Sequence, residues 1–120
     1  MVDHRQQLGK SGEDLACSEL LRRGYVVLAR RYRRRGGEID IVARDGPTIV
    51  FVEVKARSSR DFGAGGEAVH RRKRQRMAAV ALDFLVRAHL TGAPCRFDVV
   101  AIDYGTAAVV EIYQNAFDVD

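Results

Sequence analysis

The chain has 120 residues, of which 47% are hydrophobic and 30% charged, with a formal net charge of +4. That balance excludes a disordered chain and predicts a single domain, residues 1–120, with a core of its own. Met1–Arg5 lacks the apolar region of a signal peptide and no apolar run approaches the roughly 18 residues of a membrane span, so the expectation is a cytoplasmic protein with Cys17 and Cys95 as free thiols.

Residues 6–23 read as a first helix: Leu8, Leu15, Ala16, Leu20 and Leu21 recur at helical spacing, and Gly24 follows as a stop. Tyr25 to Ala29 reads as a strand, with Gly36-Gly37 breaking the Arg-rich segment behind it. Gly37 to Arg44 alternates, placing Glu38, Asp40 and Val42 on one face and Ile39, Ile41 and Ala43 on the other. Thr48 to Arg57 alternates likewise, with Ile49, Phe51, Glu53 and Lys55 opposed to Val50, Val52 and Val54. Asp45-Gly46-Pro47 is turn chemistry, so these two strands form a hairpin. Ser58 to Gly66 reads as a loop. Glu67 to His89 reads as a long helix with Met77, Val80, Ala81, Phe84, Leu85 and Ala88 as its apolar stripe, ended by Gly92 and Pro94. Arg96 to Asp103 and Ala107 to Tyr113 are two further strands, giving the order αβββαββ, with the long helix as a crossover between strands three and four.

The hairpin carries the chemistry. If Arg44 faces Ile49, then Asp40 lies opposite Glu53 and Glu38 opposite Lys55, so two carboxylates and an ammonium converge on one sheet face. Charge is costly between strands this rich in Val and Ile, and two close carboxylates repel. A hard divalent cation such as Mg²⁺ resolves that conflict. The ordinary alternative is a set of cross-strand ion pairs on a solvated face.

Charge elsewhere is uneven. Residues 1–60 carry 13 Lys/Arg against 8 Asp/Glu, and residues 61–120 carry 7 against 8. Two clusters stand out, Arg30, Arg31, Arg33, Arg34, Arg35 and then Arg71, Arg72, Lys73, Arg74, Arg76; Arg outnumbers Lys 17 to 3, and guanidinium groups suit phosphate. Either two solvated faces or a polyanion-binding surface explains them. Arg33, Arg34, Arg35, Arg57 and Lys73 are the candidate nucleic-acid contacts, with simple solvation equally open for Lys73.

Gly37-Glu38-Ile39-Asp40-Ile41-Val42-Ala43 followed by Phe51-Val52-Glu53-Val54-Lys55-Ala56-Arg57 resembles the PD-(D/E)XK nuclease motif. More narrowly, the chain resembles the YraN-like family, similar to archaeal Holliday-junction resolvases, through Gly12-Glu13-Asp14-Leu15-Ala16, Arg22-Arg23-Gly24-Tyr25, Asp61-Phe62-Gly63, Ala68-Val69 with Lys73, and Arg96-Phe97-Asp98-Val99-Val100. The resemblance implies a restriction-endonuclease-like αβββαβ core, a mixed central sheet flanked by helices. It implies Asp40 and Glu53 as metal ligands, Glu13 as a further one from helix one, and Asp40, Glu53 and Lys55 as the catalytic set. The Pro of the motif is absent, Ile39 standing before Asp40.

Other motifs are weaker. Gly9-Lys10-Ser11 lacks the first glycine and the preceding strand of a P-loop. Gly63-Ala64-Gly65-Gly66-Glu67-Ala68 fits a dinucleotide fingerprint only formally, since the strand ends well before it and Asp83 falls within a helix. His4, His70 and His89 have no metal spacing, and Asp98 is a candidate ion-pair partner for an Arg. The resulting expectation is a Mg²⁺- or Mn²⁺-dependent nuclease acting on DNA, branched or flapped structures being the candidate substrates and a second copy of the chain a candidate partner. The alternatives are a non-catalytic nucleic-acid-binding module of the same fold, or a partner-docking protein using its last strand.

Overall fold

The structure, a computed structural model, describes residues 4–57, 71–105 and 107–117. Helix α1 (His4–Arg22) leads into three strands, β1 (Val26–Arg34), β2 (Gly37–Asp45) and β3 (Thr48–Arg57). Helix α2 (Arg71–Arg87) then precedes β4 (Cys95–Tyr104) and β5 (Ala108–Tyr113). The strands form one five-stranded sheet in the order β1-β2-β3-β4-β5. Every neighbouring pair is antiparallel except β3 and β4, which run parallel and are joined through α2. The predicted α/β order therefore holds. The predicted loop Ser58–Gly66 and the predicted first residues of the second helix, 67–70, lie outside the described residues.

A helix covers each face. Ala16, Cys17 and Leu20 of α1, with Tyr25, pack on Ile41, Ala43, Val50, Val52, Val100 and Ile102. Val80, Ala81 and Leu85 of α2 pack on Ile39, Val42, Ile49 and Phe51, with Tyr32, Phe84 and Phe97 at the margin. The parallel pair is covered on both sides, as parallel pairing requires. Met77, Val99 and Phe117 form a smaller cluster at one end.

Local chemistry explains the helix ends. The Tyr25 amide donates to the Leu20 carbonyl and the Gly24 amide to that of Leu21, both at 3.0 Å. This pair of bonds needs a left-handed residue, and Gly24 supplies it at φ 90°. Helix α2 closes in the same way, Leu90 donating to Leu85 and His89 to Val86, but here the left-handed residue is His89 at φ 58°. The helix thus stops at Arg87, ahead of the Gly92 and Pro94 predicted to end it.

Two features of β1 depart from the sequence pattern. The strand runs through the Arg cluster to Arg34, where it was expected to end at Ala29, because it pairs with β2 as far as Arg34↔Gly37 and its position at the sheet edge leaves long charged side chains in water. Its register shifts between Val27 and Ala29, and Arg31 adopts φ 52°. Opposite this irregularity the alternation of β2 breaks. Ile39 packs on α2 and Ile41 on α1, where strict alternation put them on one face. Asp40 stands at the break.

Candidate active site

The β2–β3 ladder pairs Asp45 with Thr48, Arg44 with Ile49 and Ile41 with Val52, the register in which Arg44 faces Ile49. That ladder ends one residue before Asp40 and Glu53. Instead of continuing the backbone pairing, Asp40 Oδ2 accepts a hydrogen bond from the Val54 amide at 2.8 Å. The carboxylate is thereby bound to the backbone between Glu53 and Lys55. The backbone ladder does not extend to Glu38 and Lys55. Glu38 pairs with Arg33 across β1, whose Nε donates to Glu38 Oε1 at 3.0 Å.

Glu53 is only 6% exposed. Its Oε1 accepts a hydrogen bond from Lys73 Nζ of α2 at 2.5 Å, and Lys55 Nζ lies 3.9 Å from the same oxygen. Burial first, and then the charge of Glu53, raise the Asp40 carboxyl to about 7, the Val54 amide opposing them. Burial and then the ammonium of Lys73 lower the pKa of Lys55. Burial also disfavours a charged Lys73, but its hydrogen bond to Glu53 and the charges of Glu53 and Asp40 outweigh this and raise its pKa.

Glu13 reaches the vicinity because Gly12 lets α1 approach β3 closely: a Cβ on Gly12 would sit 3.2 Å from that of Ala56. Glu13 is buried, and its charge contributes to the rise at Asp40. Its own oxygens are taken up by arginines of β1, Arg31 Nε donating at 3.0 Å and Arg30 Nη2 at 3.4 Å. The left-handed turn at Arg31 falls at this contact, a local strain of the kind found where a side chain must be aimed.

Among the described residues, no three His, Cys, Asp or Glu side chains converge to hold one ion together. Mg²⁺ commonly uses only one or two protein carboxylates and completes its shell with water and substrate phosphate. Asp40 and Glu53 fit that requirement: two hard oxygen donors, one raised by the other's charge, with the Lys73 ammonium on Glu53. Glu13 is engaged by Arg30 and Arg31.

The arginines divide. Arg33 pairs with Glu38, and Arg34 lies over the Tyr32 ring and pairs with Asp83 at 2.8 Å. Arg35 is exposed in the β1–β2 turn, and Arg57 ends β3, its side chain outside the description. Arg71, Arg72 and Arg76 are exposed on α2 and meet no carboxylate among the described residues.

Sequence reasoning placed Lys73 among phosphate contacts or solvated residues and missed its hold on Glu53. A signal was present: the chain has only three lysines, and two of them stand at this carboxylate. It also missed Asp103, in register with Arg57 and so on the face of Glu53 and Lys55, with a buried Oδ1 that has no partner among the described residues. Asp98 does pair with an arginine, Arg96 Nε at 3.1 Å, and also accepts the Asn115 amide. Arg96 extends the network to Tyr25 and Asp45 at the other end of the sheet, where it braces the fold.

Comparison with known proteins adds the family. Residues 12–102 match the family described as Uncharacterised protein family UPF0102. The chain belongs to this family. A UPF0102 protein of Geobacter metallireducens is 46% identical over 116 residues, covering 96% of this chain and 95% of the relative. One from Roseiflexus castenholzii is 48% identical over 109 residues, covering 90% and 88%. A third, from Symbiobacterium thermophilum, is 43% identical over 114 residues, covering 93% and 97%. The UPF0102 match runs from within α1 through the hairpin and α2 into β4, and so takes in Glu13, Asp40, Glu53, Lys55 and Lys73.

Proposed function

We propose that this UPF0102 protein is a divalent-metal-dependent nuclease of the PD-(D/E)XK type, similar to archaeal Holliday-junction resolvases, hydrolysing phosphodiester bonds in DNA. The observation that carries the reading is the acidic pair Asp40 and Glu53 placed beside two lysines at one end of a buried hairpin. A purely structural hairpin gains nothing from burying two carboxylates together, since each disfavours the other's charge.

In this reading Asp40 and Glu53 hold Mg²⁺ or Mn²⁺, with Glu13 contributing through water. The ion would supply Lewis-acid charge at the phosphate and a more acidic water. The protein supplies the rest. The Val54 amide fixes Asp40 in place. Lys55, its ammonium destabilised by burial, orients the attacking water or stabilises charge developing on the phosphate. Exposed Arg71, Arg72 and Arg76, beside Lys73 on α2, meet the flanking phosphates.

A second reading has one observation in its favour. Lys73 already neutralises Glu53, so a non-catalytic nucleic-acid-binding module could keep these groups as an ion-paired brace. Incubating the purified protein with branched, flapped and linear DNA in Mg²⁺ or Mn²⁺ separates the two. The nuclease reading expects cleavage that Asp40→Asn and Lys55→Met abolish while DNA binding survives. Binding without cleavage on every substrate would leave the binding module.

A further inference from the structure

Glu53 and Lys73 are unequal partners. The Glu53 side chain is 7% exposed and fixed in a central strand, whereas that of Lys73 is 40% exposed on a long flexible stem at the helix surface. The carboxylate cannot leave the site, but the ammonium can. Lys73 bonds Oε1 of Glu53, so a cation held by that carboxylate would have to share it with an ammonium. With Asp40, Glu53, Lys55 and Lys73 all ionised, the four groups carry no net charge, so the site is balanced without a metal. Adding a divalent cation leaves an excess of two positive charges, and two cations at one buried carboxylate repel. A phosphate arriving with the substrate is the anion that relieves this excess.

We propose that Lys73 competes with the divalent cation for Glu53, and that metal binding drives its ammonium from Glu53 onto the substrate phosphate. Lys73 thereby couples the two events: metal binds weakly to the protein alone and more tightly once a phosphate can receive the lysine. This inference rests on Asp40 and Glu53 being the metal ligands, as proposed above.

The test measures Mn²⁺ affinity by calorimetry on protein without DNA, for wild type, Lys73→Met and Lys73→Gln, each alone and combined with Asp40→Asn. The neutral variants should bind Mn²⁺ roughly ten- to a hundredfold more tightly than wild type, the worth of one charge-assisted hydrogen bond. Asp40→Asn should abolish binding in every background. At saturating Mn²⁺ the same Lys73 variants should cleave DNA at least about tenfold more slowly, having lost a phosphate donor. Tighter binding with an unchanged cleavage rate would overturn the transfer to phosphate. Binding that Asp40→Asn abolishes but neutralising Lys73 does not tighten would overturn the competition and leave the ligand assignment standing. Binding indifferent to Asp40→Asn, or absent from all variants, would overturn both.

Discussion

Burial and the charge of Glu53 raise the Asp40 carboxyl to about 7, far above an ordinary aspartate. Between about pH 4 and pH 7 the folded chain therefore holds a proton at Asp40 that the unfolded chain has released. Asp40's contribution to stability falls as pH rises through that window, by at most about 4 kcal/mol if the whole shift acts on folding. Asp40→Asn, which keeps an acceptor for the Val54 amide but never ionises, should remove this loss. Urea melts of both proteins at pH 5 and pH 8 decide the matter. The variant should be the more stable one at pH 8, and parallel pH profiles would show that Asp40 is already neutralised in the wild type. A Lys55 role as an ordinary ion-pair partner of Asp40 predicts the reverse, a variant less stable at pH 8.

At the scale of elements, the two arginine clusters are separated by what faces them. Four arginines of β1 meet Glu13, Asp14, Glu38 and Asp83, whereas Arg71, Arg72 and Arg76 of α2 meet no carboxylate among the described residues. The steeper part of the salt dependence of DNA binding should belong to α2. Replacing its three arginines with Ala should flatten the slope of log K against log salt by up to about 2.7, at about 0.9 per phosphate, while Arg33→Ala with Arg34→Ala changes it less. Equal slopes for the two variants would move the contact surface off α2. A second element-scale prediction concerns His89, held left-handed at the end of α2. His89→Gly should stabilise the protein by about 0.5–1 kcal/mol in denaturant melts, because glycine takes that conformation without the Cβ clash. No gain would mean that the histidine side chain makes up the difference elsewhere. The hairpin register was legible because Asp45-Gly46-Pro47 marks the turn and alternating apolar residues fix the faces of both strands. The reversal between Ile39 and Ile41 was not, since it falls opposite the left-handed Arg31 on the partner strand, a backbone feature that side-chain alternation does not encode.

For the whole molecule, the crossover decides what the sequence could reveal. The motif around Asp40 and Glu-x-Lys is local to the hairpin and was readable there. The Lys73 contact spans 20 positions and depends on how α2 lies across the parallel pair, which no periodicity specifies. The same dependence makes the folded state responsive to its proposed cation. Mn²⁺ at about 100 times its Kd should stabilise wild type by about 2.7 kcal/mol and Asp40→Asn hardly at all. Thermal melts with and without Mn²⁺, repeated with DNA bound, check this, and indifference in both series would count against a metal centre at Asp40.

Cys17 lies four residues after Glu13 on α1 and is packed against the sheet, whereas Cys95 is exposed at the start of β4. Burial also pushes the Cys17 thiol up, away from its reactive thiolate. The molecule therefore carries its own pair of chemical clocks. A thiol-specific reagent should label Cys95 at once, but Cys17 only when α1 lifts from the sheet, and the lag between the two labels, read by mass spectrometry, times the excursions of the helix that delivers Glu13. If those excursions are smaller than global unfolding, the lag will shorten in mild denaturant well before the melt begins. A ligand that draws Glu13 into the site will lengthen it.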